Sequence, residues 1–497
     1  MRNGNGSKFL HRAVLAVAAC GWCVVAGGET WWVNNETGRD DFDGRAAKPQ
    51  GDGIHGPLAT LRRAAAVLKT SDRLEIAKTS RPYREILAIS KGGVPEAPLV
   101  VEGHGATIDA LGPVPAAQWK SEPEGLFSTP FTTNANKLER VQDVLSWIGS
   151  PQIWFVDGRP AANAKTPREL AAMASGFYWN KGEHRLYFKP PAGKKPEDVR
   201  VEIPLRGTGI VVVGVDHVVV QNLRSVHSLN DGVGTGHCTG VTFRNIDGSD
   251  NCDQGFSAHG GAVNILEDCR FERNAGSGIC DVGNSVTIFR RCVIAHNTFE
   301  SGAFFLDDGF HVLEDCAIFD NDDGPQVIAG GQCAVQLRNC VVCGRPGNAQ
   351  PLVDAAGGNL TLDTCTVADG VVGARLDGKR GVLRITNSLF SRCDQALVAV
   401  PKGGEARFTS NYNGWHLGVI RFGDVRYTAQ TWPDYRKVSR QDAGSLTADP
   451  LFRAGVSLAA DSPLAAVFAA FSLPAKSPYL QSGEKGHRMG AAQNTPK

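Results

Sequence analysis

The sequence has no surplus of charge of either sign: 52 Lys and Arg stand against 51 Asp and Glu, a formal net charge of +1 over 497 residues. That balance gives no electrostatic case for binding nucleic acid. Beyond residue 26 no apolar run is long enough to span a bilayer. The 13 cysteines do not form the paired clusters of a zinc site. Only Cys340 and Cys343 have CxxC spacing, with no second pair in register.

What the chain has instead is a repeat. Cysteine recurs at Cys269, Cys292, Cys316, Cys340 and Cys365, at gaps of 23, 24, 24 and 25 residues. Leu223 and Ile246 fill the slot before the run, and Ser388 fills it after. Two residues later runs an apolar column from Phe271 through Ile294 and Val342 to Phe390. Three residues earlier runs another, from Phe243 through Phe289 and Leu337 to Ile385. A fixed period of this length marks a solenoid, and apolar positions two apart mark short strands rather than helices. The fold class expected is all-β: a parallel β-helix solenoid in which equivalent side chains stack about 4.8 Å apart. The cysteine column then reads as buried free thiols, while Cys238 and Cys252 are open to pairing as a disulfide.

Residues 1–28 carry Arg2, Lys8 and Arg12, then an apolar stretch from Ala13 to Ala26. This reads as a secretory signal peptide, giving a secreted or periplasmic protein with a formal charge of −2 once the three cations leave. Val17-Ala18-Ala19-Cys20 also fits a lipobox, so a lipoprotein anchored through Cys20 is the alternative. Residues 29–113 would hold an N-terminal cap and the first coils, with a helix over Arg62–Lys69 begun near Ala59 or Thr60. The period lapses over 114–204, where aromatics such as Trp119, Trp147, Trp154 and Tyr187 suggest a β-rich insert. The main solenoid would occupy 205–415, and residues 416–497 an end cap.

The phrases Glu267-Asp268-Cys269-Arg270-Phe271, Arg291-Cys292-Val293-Ile294 and Asn387-Ser388-Leu389-Phe390 resemble coils of bacterial right-handed parallel β-helix proteins of the pectin-lyase-like superfamily. The resemblance covers nearly the whole mature chain. The insert, with Val156-Asp157-Gly158 and Gly176-Phe177-Tyr178-Trp179, is similar to the β-sandwich insert of some β-helix glycoside hydrolases. The fold hosts lyases, hydrolases, epimerases and non-catalytic proteins alike.

Stacking makes sequence offset a measure of proximity. Five residues after the cysteine slot, Asn251, Asn274, Asn297 and Asn321 form a column that suits an inward ladder bonding turn backbones. One position earlier, His227, Asp250, Arg273, His296 and Asp320 suit a salt-bridged rim, or a rim facing substrate. On the next strand, His259, Asp281 and Asp307 lie ten, eleven and nine residues before the slot, with Asp308 adjoining and Asp253 and His237 nearby. Allowing one residue of register, they would cluster at one lateral position, each equally open to a plain turn role. As catalytic groups, Asp281 would be the general acid, Asp307 or Asp308 the base or nucleophile, and His259 an orienter or proton shuttle. Asp253, His237 and Arg273 would bind substrate. Gly255-Phe256-Ser257-Ala258-His259 resembles the Gly-Phe-Asp-Pro-His segment of β-helix alginate epimerases, with Ser257 and Ala258 in place of its Asp and Pro.

These residues point to a monomeric glycoside hydrolase acting on a polysaccharide or oligosaccharide. The alternatives are a polysaccharide lyase with His259 as base, and a non-catalytic carbohydrate-binding or surface rod. No cofactor is required by this scheme. Calcium is a candidate at the acidic turns Asp320–Asp323 and Asp247–Asp253, which lack a calcium-loop spacing and also read as solvated turns.

Overall fold

The computed structural model describes residues 28–131, 151–298, 300–322, 324–345, 347–401, 406–416, 418–452, 458–459 and 461–492. The leader with Cys20, Trp147 of the insert and Asp323 of the acidic turn lie outside them.

The repeat folds as its period dictates. Among the described residues, 29 short strands join into one continuous wound sheet, in which a strand pairs in parallel with its equivalent one coil on. Three lateral faces result. The first carries Val233–Gly236, Phe256–His259, Ile279–Asp281 and Ala303–Phe305. The second carries Val241–Asp247, Val263–Glu267 and Val286–Arg290, and the third Arg270–Glu272, Val293–Ala295 and Ala317–Phe319. Each strand sends alternate side chains inward, so Phe243, Leu266 and Phe289 from the second face meet Phe256, Ile279 and Phe305 from the first in one core.

The corners between faces are built from the columns. The cysteines of the slot are buried and free, and Cys340 and Cys365 donate to the carbonyls of Leu313 and Leu337 one coil back, at 3.3 and 3.4 Å. Burial pushes the thiols of Cys269, Cys316 and Cys340 up, which keeps them protonated. Cys238 and Cys252 are likewise free and buried rather than bridged. The Cys252 thiol sits against the backbone of Gln152 and Ile153, and burial pushes it up to about 12.

At the corner between third and first faces the asparagines bond coil to coil. The Asn274 Oδ1 accepts from the Asn251 amide at 2.9 Å, and the Asn297 Oδ1 accepts from that of Asn274 at 3.0 Å. Gln326 ends the ladder by accepting from the Asn321 backbone at 3.0 Å. Across the corner stands glycine at 232, 255, 278 and 302, where a Cβ would come within 2.6 to 2.7 Å of an asparagine Nδ2. The ladder and the glycines are therefore one device. The rim column pairs as salt bridges: His227 with Asp109 at 3.0 Å, Arg273 with Asp250 at 2.8 Å, and His296 with Asp320 at 3.1 Å.

The N-terminal helix spans Leu61–Val67, with Thr60 Oγ1 accepting from the Arg63 amide at 3.1 Å, and Leu61 and Ala64 plug the core. At the far end the helix Trp432–Ser439 buries Tyr435 against Phe422 and Tyr427. Just beyond it, buried Asp442 accepts from Trp415 Nε1 at 3.1 Å and Leu446 bridges to Gly414, so this stretch also closes the last coil, and only the later tail leaves the end. Its helix Leu464–Ala470 runs back along the rod and packs Val467 and Phe468 on Val293, Ala317, Phe319 and Val341. The reason is that the third-face strands Val293–Ala295, Ala317–Phe319 and Val341–Cys343 are apolar on both sides, so their outer side needs a cover. Among its described residues the insert forms a pair of four-stranded sheets enclosing Trp154, Phe177, Leu186 and Phe188, with the Trp154 and Phe177 rings stacked at 4.4 Å.

Candidate active site

The structure divides the residues expected to cluster. His259 points outward from the first face, where its Nε2 meets Ser257 Oγ at 2.7 Å. Asp281 is in register with Ala258 and Phe305, and both are core residues. Its carboxylate is fully buried inside the rod, 3.1 Å from the equally buried His311 Nδ1. Period two explains the split: ten and eleven residues before the slot are adjacent strand positions, which face opposite ways.

Asp307 and Asp308 follow the strand on an exposed turn. Asp307 adopts φ +66° and accepts from the Gly283 amide at 2.8 Å, which is turn chemistry. His237 is exposed one rung from His259, its ring lying over Gly260. Arg273 is held at the rim by Asp250, Glu272 and Asp461, away from the first face.

The group that does assemble lies at the N-terminal ends of the first-face strands. Asp253 and Glu300 each stand sixteen residues before a ladder cysteine, two coils apart, with Gly276 at the same offset between them. A Cβ on Gly276 would come within 2.6 Å of Asp253 Oδ1, so the missing side chain lets that carboxyl lean toward Glu300. Asp231 lies one coil before Asp253 and is 4 % exposed. Its Oδ2 accepts from Asn230 Nδ2 at 2.9 Å, while Oδ1 has no hydrogen-bond partner among the described residues. Glu300 is exposed, and its Oε2 accepts from Ser277 Oγ at 3.1 Å.

The electrostatics follow from crowding acids on a half-covered surface. Burial, reinforced by the charge of Glu300, pushes Asp253 up to about 7. Burial and then Asp253 push Asp231 well above the usual carboxylate range. Cys280, outward on the intervening rung, is raised by burial and then by Glu300, Asp231, Asp281 and Asp253. Burial lowers His259 against the opposing pull of Asp281, which favours a neutral imidazole. The insert flanks this edge, with Phe155 edge-on to His227 at 4.9 Å and Gln152 and Ile153 against Cys252. The site thus holds a carboxylic acid that stays protonated near neutrality, an exposed carboxylate and a neutral imidazole.

In the acidic turns considered for calcium, four carboxylates are engaged by cationic side chains. Asp320 meets His296 and Asp322 meets Arg345, at 3.1 and 2.6 Å. Asp247 and Asp250 are bound by Arg224 and Arg273. Among the described residues no three His, Cys, Asp or Glu side chains gather to hold a metal ion. No helix among them is long and apolar enough to cross a membrane.

A family model for the right-handed β-helix region matches residues 200–342. No curated protein matches the sequence. Among solved structures the chain is similar to the complex of XylC with xylose, at 10% identity and TM-score 0.52 over 85% of this chain and 87% of that one. It is also similar to the pectate lyase Pel9A, at 12% identity and TM-score 0.51 over 95% and 98%. These likenesses concern the backbone alone, and with the match over residues 200–342 they agree with the right-handed parallel β-helix fold.

Proposed function

We propose that the protein is a glycoside hydrolase acting on an uncharged glycan laid along the first face. Asp253 is the general acid, Glu300 the base, and His259, held by Ser257, orients sugar hydroxyls. The observation that carries this reading is the Asp253 carboxyl, pushed up to about 7 and leaning across Gly276 toward the exposed Glu300. Such a pair meets the two needs of glycoside hydrolysis, a proton for the leaving oxygen and a carboxylate for water. Two rungs span about 10 Å along the axis. The lean of Asp253 shortens that toward the separation of about 6.5 to 9.5 Å at which inverting enzymes place their carboxyls. Backbone likeness to the XylC–xylose complex and to Pel9A supports a saccharide as the ligand.

The neutral His259 also suits β-elimination from a uronate, as the base. Against that, the charged groups acting on Cys280 at the centre of the site are all acids, and they would repel a uronate carboxylate. Mass spectrometry of products from a glycan panel separates the readings. Products carrying an added water, released with inverted anomeric configuration, are expected. Unsaturated fragments would move the base to His259, and no products across the panel would leave a non-catalytic binding face.

Because Asp247, Asp250, Asp320 and Asp322 are already ion-paired, a chelator such as EDTA is expected to leave turnover unchanged. A loss restored by calcium would show that a cation belongs to the site.

A further inference from the structure

On the second face, at the N-terminal end of the rod, lies a cavity of about 620 Å³ lined by Trp32, Arg73, Glu75, Glu102, His104 and Asn222, among others. Trp32, Glu75, Glu102 and Gln221 occupy one outward column on successive rungs. Further along, the same column alternates Arg244, Glu267, Arg290 and Glu314, closing on itself through ion pairs of 2.9 to 3.4 Å. A structural ladder needs that alternation, because like charges directly opposite one another are destabilising. At the cavity the alternation fails, and Glu75 faces Glu102 directly.

The surroundings hold this pair in place. Glu75 meets Arg73 and, at 2.5 Å, His104 Nε2. Glu102 accepts from Gln221 Nε2 at 2.7 Å, from Asn222 Nδ2 at 2.8 Å and from the His104 amide at 2.9 Å. Burial pushes Glu102 up, but these bonds outweigh it and hold the carboxyl below its usual range, so it is charged at neutral pH. The wall is also built. Between rungs that pair Glu102 with Gln221 and Ala106 with Leu223, three residues oppose one, a bulge with two extra residues. His104 and Gly105 take φ +50° and +82° there, and a Cβ on Gly103 would come within 2.2 Å of Leu223 Cγ. Bulges of this kind re-aim side chains, and this one leaves the His104 ring half-exposed beside the two glutamates.

We infer that this pocket is a second saccharide site, taking an uncharged sugar unit of a glycan. Trp32, half-buried, supplies the platform for the C–H face of a sugar ring. Glu75 accepts from ring hydroxyls in an orientation its partners have already set, Glu102, its acceptor positions taken by His104, Asn222 and Gln221, fixes the wall behind it, and Arg73 and Asn222 border the same space. Two adjacent carboxylates disfavour a uronate. The pocket lies on a different face from Asp253 and Glu300, so it anchors a glycan without taking part in its cleavage.

The test is isothermal titration of the full-length protein with cellohexaose, xylohexaose and hexagalacturonate, on wild type, Trp32→Ala, Glu102→Gln and Asp253→Asn. A neutral hexasaccharide is expected to bind. Trp32→Ala and Glu102→Gln should each weaken one binding event by about tenfold or more while leaving turnover of short soluble substrates unchanged. Asp253→Asn should lose turnover and keep the Trp32-dependent event. Glu102→Gln preserves shape and guards against a misfolded Trp32→Ala. Unchanged titrations in both pocket variants, binding of hexagalacturonate alone, or no binding of either neutral probe would overturn the inference. Failure of the hydrolase reading would appear separately, as turnover retained in Asp253→Asn.

Discussion

Asp253→Asn is expected to lower kcat by about a hundred- to ten-thousandfold, the contribution of a positioned general acid, while making the protein more heat-stable at pH 8. The two effects share one cause. The folded-state value near 7 lies well above the ordinary aspartate value of 3.8, so between about pH 4 and 7 the folded chain keeps a proton that the unfolded chain releases. Stability therefore falls as pH rises through that window, and above it the ionised carboxylate remains a standing penalty. An amide removes the penalty and the acid together, with a Tm gain of about 2 °C for a chain of this size. Glu300→Gln should lose comparable turnover with a smaller gain, since burial, the larger cause of the Asp253 shift, remains. In the wild type, kcat should decline on the alkaline side with a midpoint near 7, as Asp253 loses its proton. Wild-type turnover in both variants would remove the pair from the mechanism.

The Asp281–His311 contact gives the largest expected change in stability. Both side chains are fully buried, and apart from their 3.1 Å contact neither Asp281 oxygen nor either His311 nitrogen has a hydrogen-bond partner among the described residues. Removing one member leaves the other unpaired in an apolar core, at a cost of about 3 to 5 kcal/mol. Replacing both with leucine should recover most of that loss, because a buried ion pair is often no better than well-packed apolar side chains. His311 already stacks on Phe305 at 4.5 Å, and its column continues to Val335. Denaturant midpoints of His311→Leu and of the double variant Asp281→Leu/His311→Leu measure the effect. The double variant should also keep its turnover, since neither group reaches the outer face. A folded but inactive double variant would return Asp281 to the catalytic machinery.

The architecture was legible because the repeat puts a physical constraint on every coil. The cysteine slot, the two apolar columns and the asparagine column all follow from stacking, and each is where its offset placed it. The site was less legible, for a reason the strands make plain. A tolerance of one residue is harmless for naming a coil and decisive for naming a face. It placed Asp281 beside His259, where the backbone sends one inward and the other outward. The offset itself held the better signal. Asp253, Gly276 and Glu300 share one position before successive slot residues, and a small residue between two acids marks an open surface. Asn230-Asp231-Gly232 carries an ordinary turn signature, and only the burial of Asp231 separates it from one. The tail's course along the third face also had no periodic mark, because a strap is defined by the surface it covers.

The stacked thiols give the rod a built-in clock. Each is silent toward a thiol reagent while its coil is wound, and becomes reactive when that coil opens. In a molecule whose repeats touch only their neighbours, opening proceeds from an end or a weak joint rather than everywhere at once. Pulse labelling followed by peptide mapping would then read the order in which Cys269, Cys292, Cys316, Cys340 and Cys365 appear. That order reports the direction in which the solenoid unzips, one coil per mark.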